Sequence, residues 1–137
     1  MRLLLMNQKL SYAGNSSYTQ DLALSLVAAG HEVKICTTGG SLRDVFARLG
    51  VETFVVKYNL LSYRKLLEFL NEYAPDLIHV QNRLSACSGQ RISAKHGVPH
   101  ILTAHRLPDT THTRIMHRLL VDVNAVITSA VSLISNV

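Results

Sequence analysis

The stretch AGNSSYTQDLALSLVAAGHEVKICT, Ala13 to Thr37, combines a glycine turn, an amphipathic helix, a second glycine and a strand. Leu22, Ala23, Leu26 and Val27 recur at helical spacing, so one face of this helix is built to be buried. Ser16 and Ser17 are both residue types that cap a helix start, which places its beginning near them. Gly30 follows the last periodic residue, where a left-handed C-cap is needed. Upstream, Arg2–Met6 (RLLLM) is a continuous apolar run, the pattern of a strand covered on both faces. The unit is therefore strand, loop, helix, strand, and its open question is what the loop Asn7–Ser16 holds.

The same grammar continues to the end of the chain. Strands are expected at Glu32–Thr37, Val51–Val56, Asp76–Val80, Pro99–Ala104 and Ala125–Thr128. Helices are expected at Leu42–Leu49, Ser62–Tyr73, Ser85–Lys95 and His112–Asp122, with a further helical pattern beginning at Val131. Short apolar strands alternating with helices predict an α/β fold of three layers, α/β/α, around a parallel sheet. Right-handed crossovers make a doubly wound Rossmann-like sheet of order 3-2-1-4-5-6 the expected topology. The 137 residues suit a single domain, 1–137, large enough for its own core.

Composition narrows the function. Apolar residues are 47% and charged residues 17%, a globular balance. The apolar runs are far shorter than the roughly 20 residues of a membrane span, and MRLLLM is too short for a signal peptide. Cys36 and Cys87 have no CxxC spacing and read as inert thiols of a cytoplasmic protein. The net charge is +5, and Arg83 to Arg118 holds six Lys or Arg against one acid, Asp109. That face is a candidate for phosphates, acidic lipid headgroups or nucleic acid, against the plainer reading of solvated charges.

Ligands of such sheets lie beyond the carboxyl ends of the strands. The rule selects Asn7–Ser16, Thr38–Ser41, Gln81–Leu84 and His105–Thr111. The first loop has neither GxGxxG nor GxxxxGK[ST], which disfavours dinucleotide and P-loop enzymes. It leaves Ala13, Gly14, Asn15 and Ser16 either as an anion seat at a helix start or as an ordinary turn. His105 directly follows the fifth strand, where a group titrating near neutrality can act on a substrate. Gln81, Asn82 and Arg83 close the fourth strand, and Arg106 can reach the same crevice. His79 and His100, inside strands, read as core histidines satisfied by backbone. His112 and His117 are five apart on a helix and do not face one ligand, so no metal site is expected.

The run at 13–37, followed in order by LGVETFVV, YAPDLIHVQN, HGVPHILTAH and VNAVITS, resembles the N-terminal domain of family 4 glycosyltransferases. The resemblance covers essentially the whole chain. It implies one Rossmann-like half of a GT-B fold and, as function, the acceptor side of a nucleotide-sugar-dependent, retaining enzyme with no cofactor and no metal requirement. It assigns Ala13-Gly14 to the paired glycines near the donor phosphates, with Ala13 replacing the first glycine. It assigns His105 to the catalytic histidine near the transferred sugar. Gln81 stands where the family often has a second histidine, and Ser16 where it often has an acid.

The family's second domain, which holds most of the nucleotide sugar and carries paired glutamates, has no counterpart in the 137 residues. Little or no transferase activity is therefore expected of this chain alone. The implied partners are a nucleotide sugar, a sugar or lipid-linked acceptor, and a C-terminal half in cis or in trans. Self-association through an uncovered inter-domain face is a further candidate. Nucleic acid is not expected. The expected location is cytoplasmic, at the inner face of the membrane. The alternative is a non-enzymatic Rossmann-like module that binds a phosphorylated ligand or a partner chain.

Overall fold

Leu3, Leu4, Leu5 and Met6 are all buried, and they divide by parity between two cores. Leu4 and Met6 belong to a cluster with Leu66, Leu70, Tyr73, Ile92 and Leu102. Leu3 and Leu5 belong to a second cluster with Ala23, Val33, Ile35 and Phe46. Strand side chains alternate between faces, so a strand with two cores lies in the middle layer of three. The expectation of an α/β/α sandwich holds.

The computed structural model describes residues 1–12, 14–57, 60–81, 83–105 and 125–128. The elements run β1 (Arg2–Met6), α1 (Gly14–Ala28), β2 (Glu32–Thr37), α2 (Arg43–Arg48), β3 (Glu52–Val55), α3 (Leu60–Tyr73), β4 (Leu77–Val80), α4 (Arg83–His96), β5 (His100–Ala104) and β6 (Ala125–Thr128). The six-stranded sheet has the expected order β3-β2-β1-β4-β5-β6. Every pairing is parallel, with Met6 opposite Cys36 and Val80, and Val80 opposite Leu102. The helix expected at 112–122 and the pattern beginning at 131 lie outside the described residues.

Helix boundaries moved where local bonding overrode the sequence signal. α1 starts at Gly14, so Ser16 is not its cap. The Ser16 hydroxyl instead accepts from the Ser11 amide at 3.1 Å and donates to the Lys9 carbonyl at 3.2 Å. α1 ends as expected: Gly30 has φ +82°, His31 N–H donates to Leu26 O at 3.0 Å and Gly30 N–H to Val27 O at 2.9 Å. That pair of bonds is the Schellman motif. α3 ends differently, with Ala74 at φ +44° just before Pro75.

The loop after β2 supports the loop after β1. Leu10 N–H donates to Gly39 O at 2.9 Å, Leu42 N–H to Leu10 O at 3.1 Å and Thr38 N–H to Gln8 O at 2.8 Å. The Thr38 hydroxyl also donates to Gln8 O. Of the four loops selected from sequence, residues 38–41 are thus bound to the back of the first loop. Cys36 is buried, and burial pushes its thiol up to about 12, so the expectation of an inert thiol holds for this residue.

Candidate functional site

At the carboxyl end of the sheet, the face covered by α1 changes from apolar to polar. Leu5 on β1 is followed on that face by Asn7. His79 on β4 is followed by Gln81, and Thr103 on β5 by His105. The inner stripe of α1 makes the same change in reverse, from Ser16 and Thr19 to Ala23, all fully buried. The opposite face stays apolar through Met6, Val80 and Leu102. A polar layer therefore sits between the first two turns of α1 and the ends of β1, β4 and β5.

Two hydrogen-bonded chains cross this layer. In the first, Asn7 Nδ2 donates to Thr19 Oγ1 at 2.8 Å, and Thr19 Oγ1 donates to Gln81 Oε1 at 3.1 Å. With the Thr19 oxygen accepting from Asn7, its proton is directed at Gln81. Gln81 is fully buried, yet its Nε2 has no hydrogen-bond partner among the described residues. A buried amide with both N–H groups unmatched is costly, on the order of 1–3 kcal/mol, and a buried orphan calls for an explanation such as a missing ligand or water.

In the second chain, His79 Nε2 lies 2.7 Å from Thr103 Oγ1, and Tyr18 Oη lies 3.5 Å from the same Thr103 oxygen. The ring of Tyr18 meets the ring of His105 edge to face, with centroids 5.0 Å apart and planes at 78°. Burial, with a smaller contribution from the nearby His105, pushes His79 down to about 4. Burial also lowers His105. At neutral pH both imidazoles are uncharged, so His105 offers a donor and an acceptor rather than a cation. Its Nε2 is buried and has no hydrogen-bond partner among the described residues.

Of the residues selected from sequence, Gln81 and His105 stand at the ends of neighbouring strands on one face. Ser16 is turned to the backbone of the first loop. Gly14 and Asn15 open α1 and Arg83 opens α4. Ala13, Asn82 and Arg106 lie outside the described residues. His79 is a core histidine as expected, but its partner is the Thr103 hydroxyl rather than backbone. Asn7, Tyr18, Thr19 and Thr103 were not selected as site residues. Their signal was a polar or aromatic residue at positions where alternation or helical periodicity called for an apolar one.

A pocket of about 190 Å³ is lined by Leu70, Asn71, Ala74, Pro75, Ile92, His96 and Val98, where α3 and α4 end and β4 and β5 begin, at the opposite end of the strands. Among the described residues no cluster of three His, Cys, Asp or Glu could hold a metal ion. Nor is any described helix long and apolar enough to cross a membrane.

Residues 13–132 match the sequence profile of the glycosyl transferase 4-like domain. No match was found among curated proteins. Among solved structures, HepE of Anabaena in complex with UDP is similar, with a TM-score of 0.83 at 15% identity, covering 98% of this chain and 39% of that one. MurG of Acinetobacter baumannii has a TM-score of 0.73 at 12% identity, covering 93% of this chain and 40% of that one. A glycosyltransferase from Rickettsia africae has a TM-score of 0.67 at 19% identity, covering 87% and 34%. The chain thus spans less than half the length of the structures it matches. The chain belongs to the glycosyl transferase 4-like family, and its fold is the Rossmann-like half of a GT-B glycosyltransferase.

Proposed function

We propose that the chain is the acceptor-side domain of a nucleotide-sugar-dependent, retaining glycosyltransferase, with the polar layer beneath its transfer site. The observation that carries the reading is that, of three unmatched, buried side-chain nitrogens among the described residues, two, Gln81 Nε2 and His105 Nε2, stand at adjacent strand ends where α/β folds bind ligands; the third, His96 Nε2, is at the pocket beside α3 and α4. Such groups favour a ligand rich in hydroxyl or phosphate oxygens. In this role His105 hydrogen-bonds the transferred sugar as a neutral imidazole. Gln81 Nε2 donates to a sugar or phosphate oxygen. Gly14, Asn15 and Arg83, at the starts of α1 and α4, are assigned to the donor phosphates and acceptor, as are Ala13, Asn82 and Arg106 from the sequence alone, whereas the Ser16 hydroxyl is taken by the first loop and shapes that loop instead.

HepE has been solved with UDP, with UDP-glucose and with UDP plus glucose, which makes a uridine diphosphate sugar the first donor to try. The reaction needs no metal, and the nucleotide is held mainly by a C-terminal half supplied in cis or in trans. The cytoplasmic face of the membrane is the proposed setting.

The test mixes the 137-residue chain with candidate donor halves and measures UDP release and sugar transfer, with and without EDTA. Transfer is expected only from the mixture, undiminished by EDTA, and should fall by about 10²-fold or more in His105→Ala. Clear transfer by the chain alone would refute the need for a second half. Full activity of His105→Ala would remove His105 from the chemistry.

A further inference from the structure

Whatever His105 does for a substrate depends on how its ring is held. It sits just past the end of β5, where no strand pairing fixes it. Tyr18 makes the described ring contact, edge to face at 5.0 Å, a geometry favoured by the aromatic quadrupole. Tyr18 is half-buried and belongs to α1, a different element from the strand that carries His105. Its hydroxyl reaches back to that strand at Thr103, 3.5 Å away, two residues before His105 and on the same face. Thr103 is anchored in turn by His79 on β4 at 2.7 Å. Thr103 and His79 are 1% and 4% exposed, so the anchor is dry. One tyrosine thus touches Thr103 on β5 by its hydroxyl and His105, the next same-face position just past the strand end, by its ring.

We propose that Tyr18 is a positioning residue for His105: its ring sets the plane of the imidazole, and the Tyr18–Thr103–His79 chain sets the ring of Tyr18. The inference builds on the transferase reading of His105. A packing role would ask only for an aromatic ring at 18, and Phe would serve as well. The positioning role asks for the hydroxyl too. The described titratable groups facing His105 are His79 from β4 and Tyr18 from α1. His79 is uncharged near neutrality, so a change in the titration of His105 reads its contact with Tyr18.

The test is histidine-ring NMR on the full 137-residue chain, following the His105 ring shifts and titration midpoint. Tyr18→Phe should move the midpoint upward, toward the ordinary value, as the ring contact loosens. Thr103→Val should move it in the same direction. Tyr18→Leu should also abolish the ring-current shift on His105. An exposed-site control, Tyr12→Leu, should do nothing. A Tyr18→Phe chain with His105 shifts and midpoint identical to the parent would overturn the proposal, even if Tyr18→Leu failed to fold. In the two-half transfer assay, Tyr18→Phe should lower kcat and leave the KM for donor unchanged. The NMR measurement needs no transfer reaction. Its failure would sink the positioning role alone, whereas absent transfer with the NMR response intact would sink the transferase reading alone.

Discussion

His79 Nε2 and Thr103 Oγ1 form a 2.7 Å hydrogen bond between neighbouring parallel strands. Both residues are buried, so removing one partner leaves the other without water to replace it. Thr103→Val keeps the shape and deletes the hydroxyl, and should destabilise the domain by about 1–3 kcal/mol. Thr103→Ser should cost markedly less. Urea denaturation of the three proteins checks this, and equal midpoints would show that His79 finds another partner.

Stability should fall on mild acidification. His79 titrates near 6.5 when exposed and at about 4 in the fold. Between those values the unfolded chain holds a proton that the folded chain does not. Stability is therefore full above about pH 6.5, declines as pH drops, and loses nothing further from this group below about pH 4. The total is on the order of 3 kcal/mol by linkage. His105, also lowered, adds in the same direction. Unfolding free energies at pH 7.5 and pH 5 should differ less in His79→Gln than in the parent chain.

Gly40 and Gly30 should respond very differently to alanine. Both have positive φ, +132° and +82°. A Cβ at Gly30 meets nothing within 4 Å, whereas one at Gly40 would fall 1.9 Å from the Leu10 carbonyl oxygen. Gly30→Ala bears only the left-handed backbone term, roughly 1–2 kcal/mol. Gly40→Ala bears that and a backbone collision, and should show the larger drop in Tm. Equal drops would mean that the two loops separate easily.

Gly89 brings α4 close to β4, where an added Cβ would sit 2.4 Å from Val80 Cγ2. Gly89→Ala should therefore lower stability by about 1–3 kcal/mol through overpacking, despite the better helix propensity of alanine. The informative variant is the double one. Gly89→Ala combined with Val80→Ala should be more stable than Val80→Ala alone, because the new methyl fills the space the valine vacates. Additive losses in denaturant would contradict this arrangement.

The sheet order and the two cores were readable because they rest on periodicity, as in Leu3–Met6 and in the stripe Leu66, Leu70, Tyr73. The position of His105 just past a strand end was readable from the apolar run before it. The polar layer was not, because Tyr18, Thr19 and Thr103 matter through hydrogen-bond partners 12 to 85 residues away along the chain, and local pattern carries no such pairing. The role of Ser16 was misread for a related reason. A serine near a helix start is a good cap by composition, and only the path of residues 9–11 shows where its hydroxyl goes.

The bonds joining Gln8 and Leu10 to residues 38–42 also bear on recombination between relatives. The lip of the crevice and its buttress come from segments separated by all of α1, yet they share a backbone contact too close for any side chain at Gly40. A chimera with its crossover between residues 12 and 38 would join the lip of one parent to the buttress of another. The exchangeable unit is residues 1–42 as a block, and transplanting the first loop alone would carry its sequence without its shape.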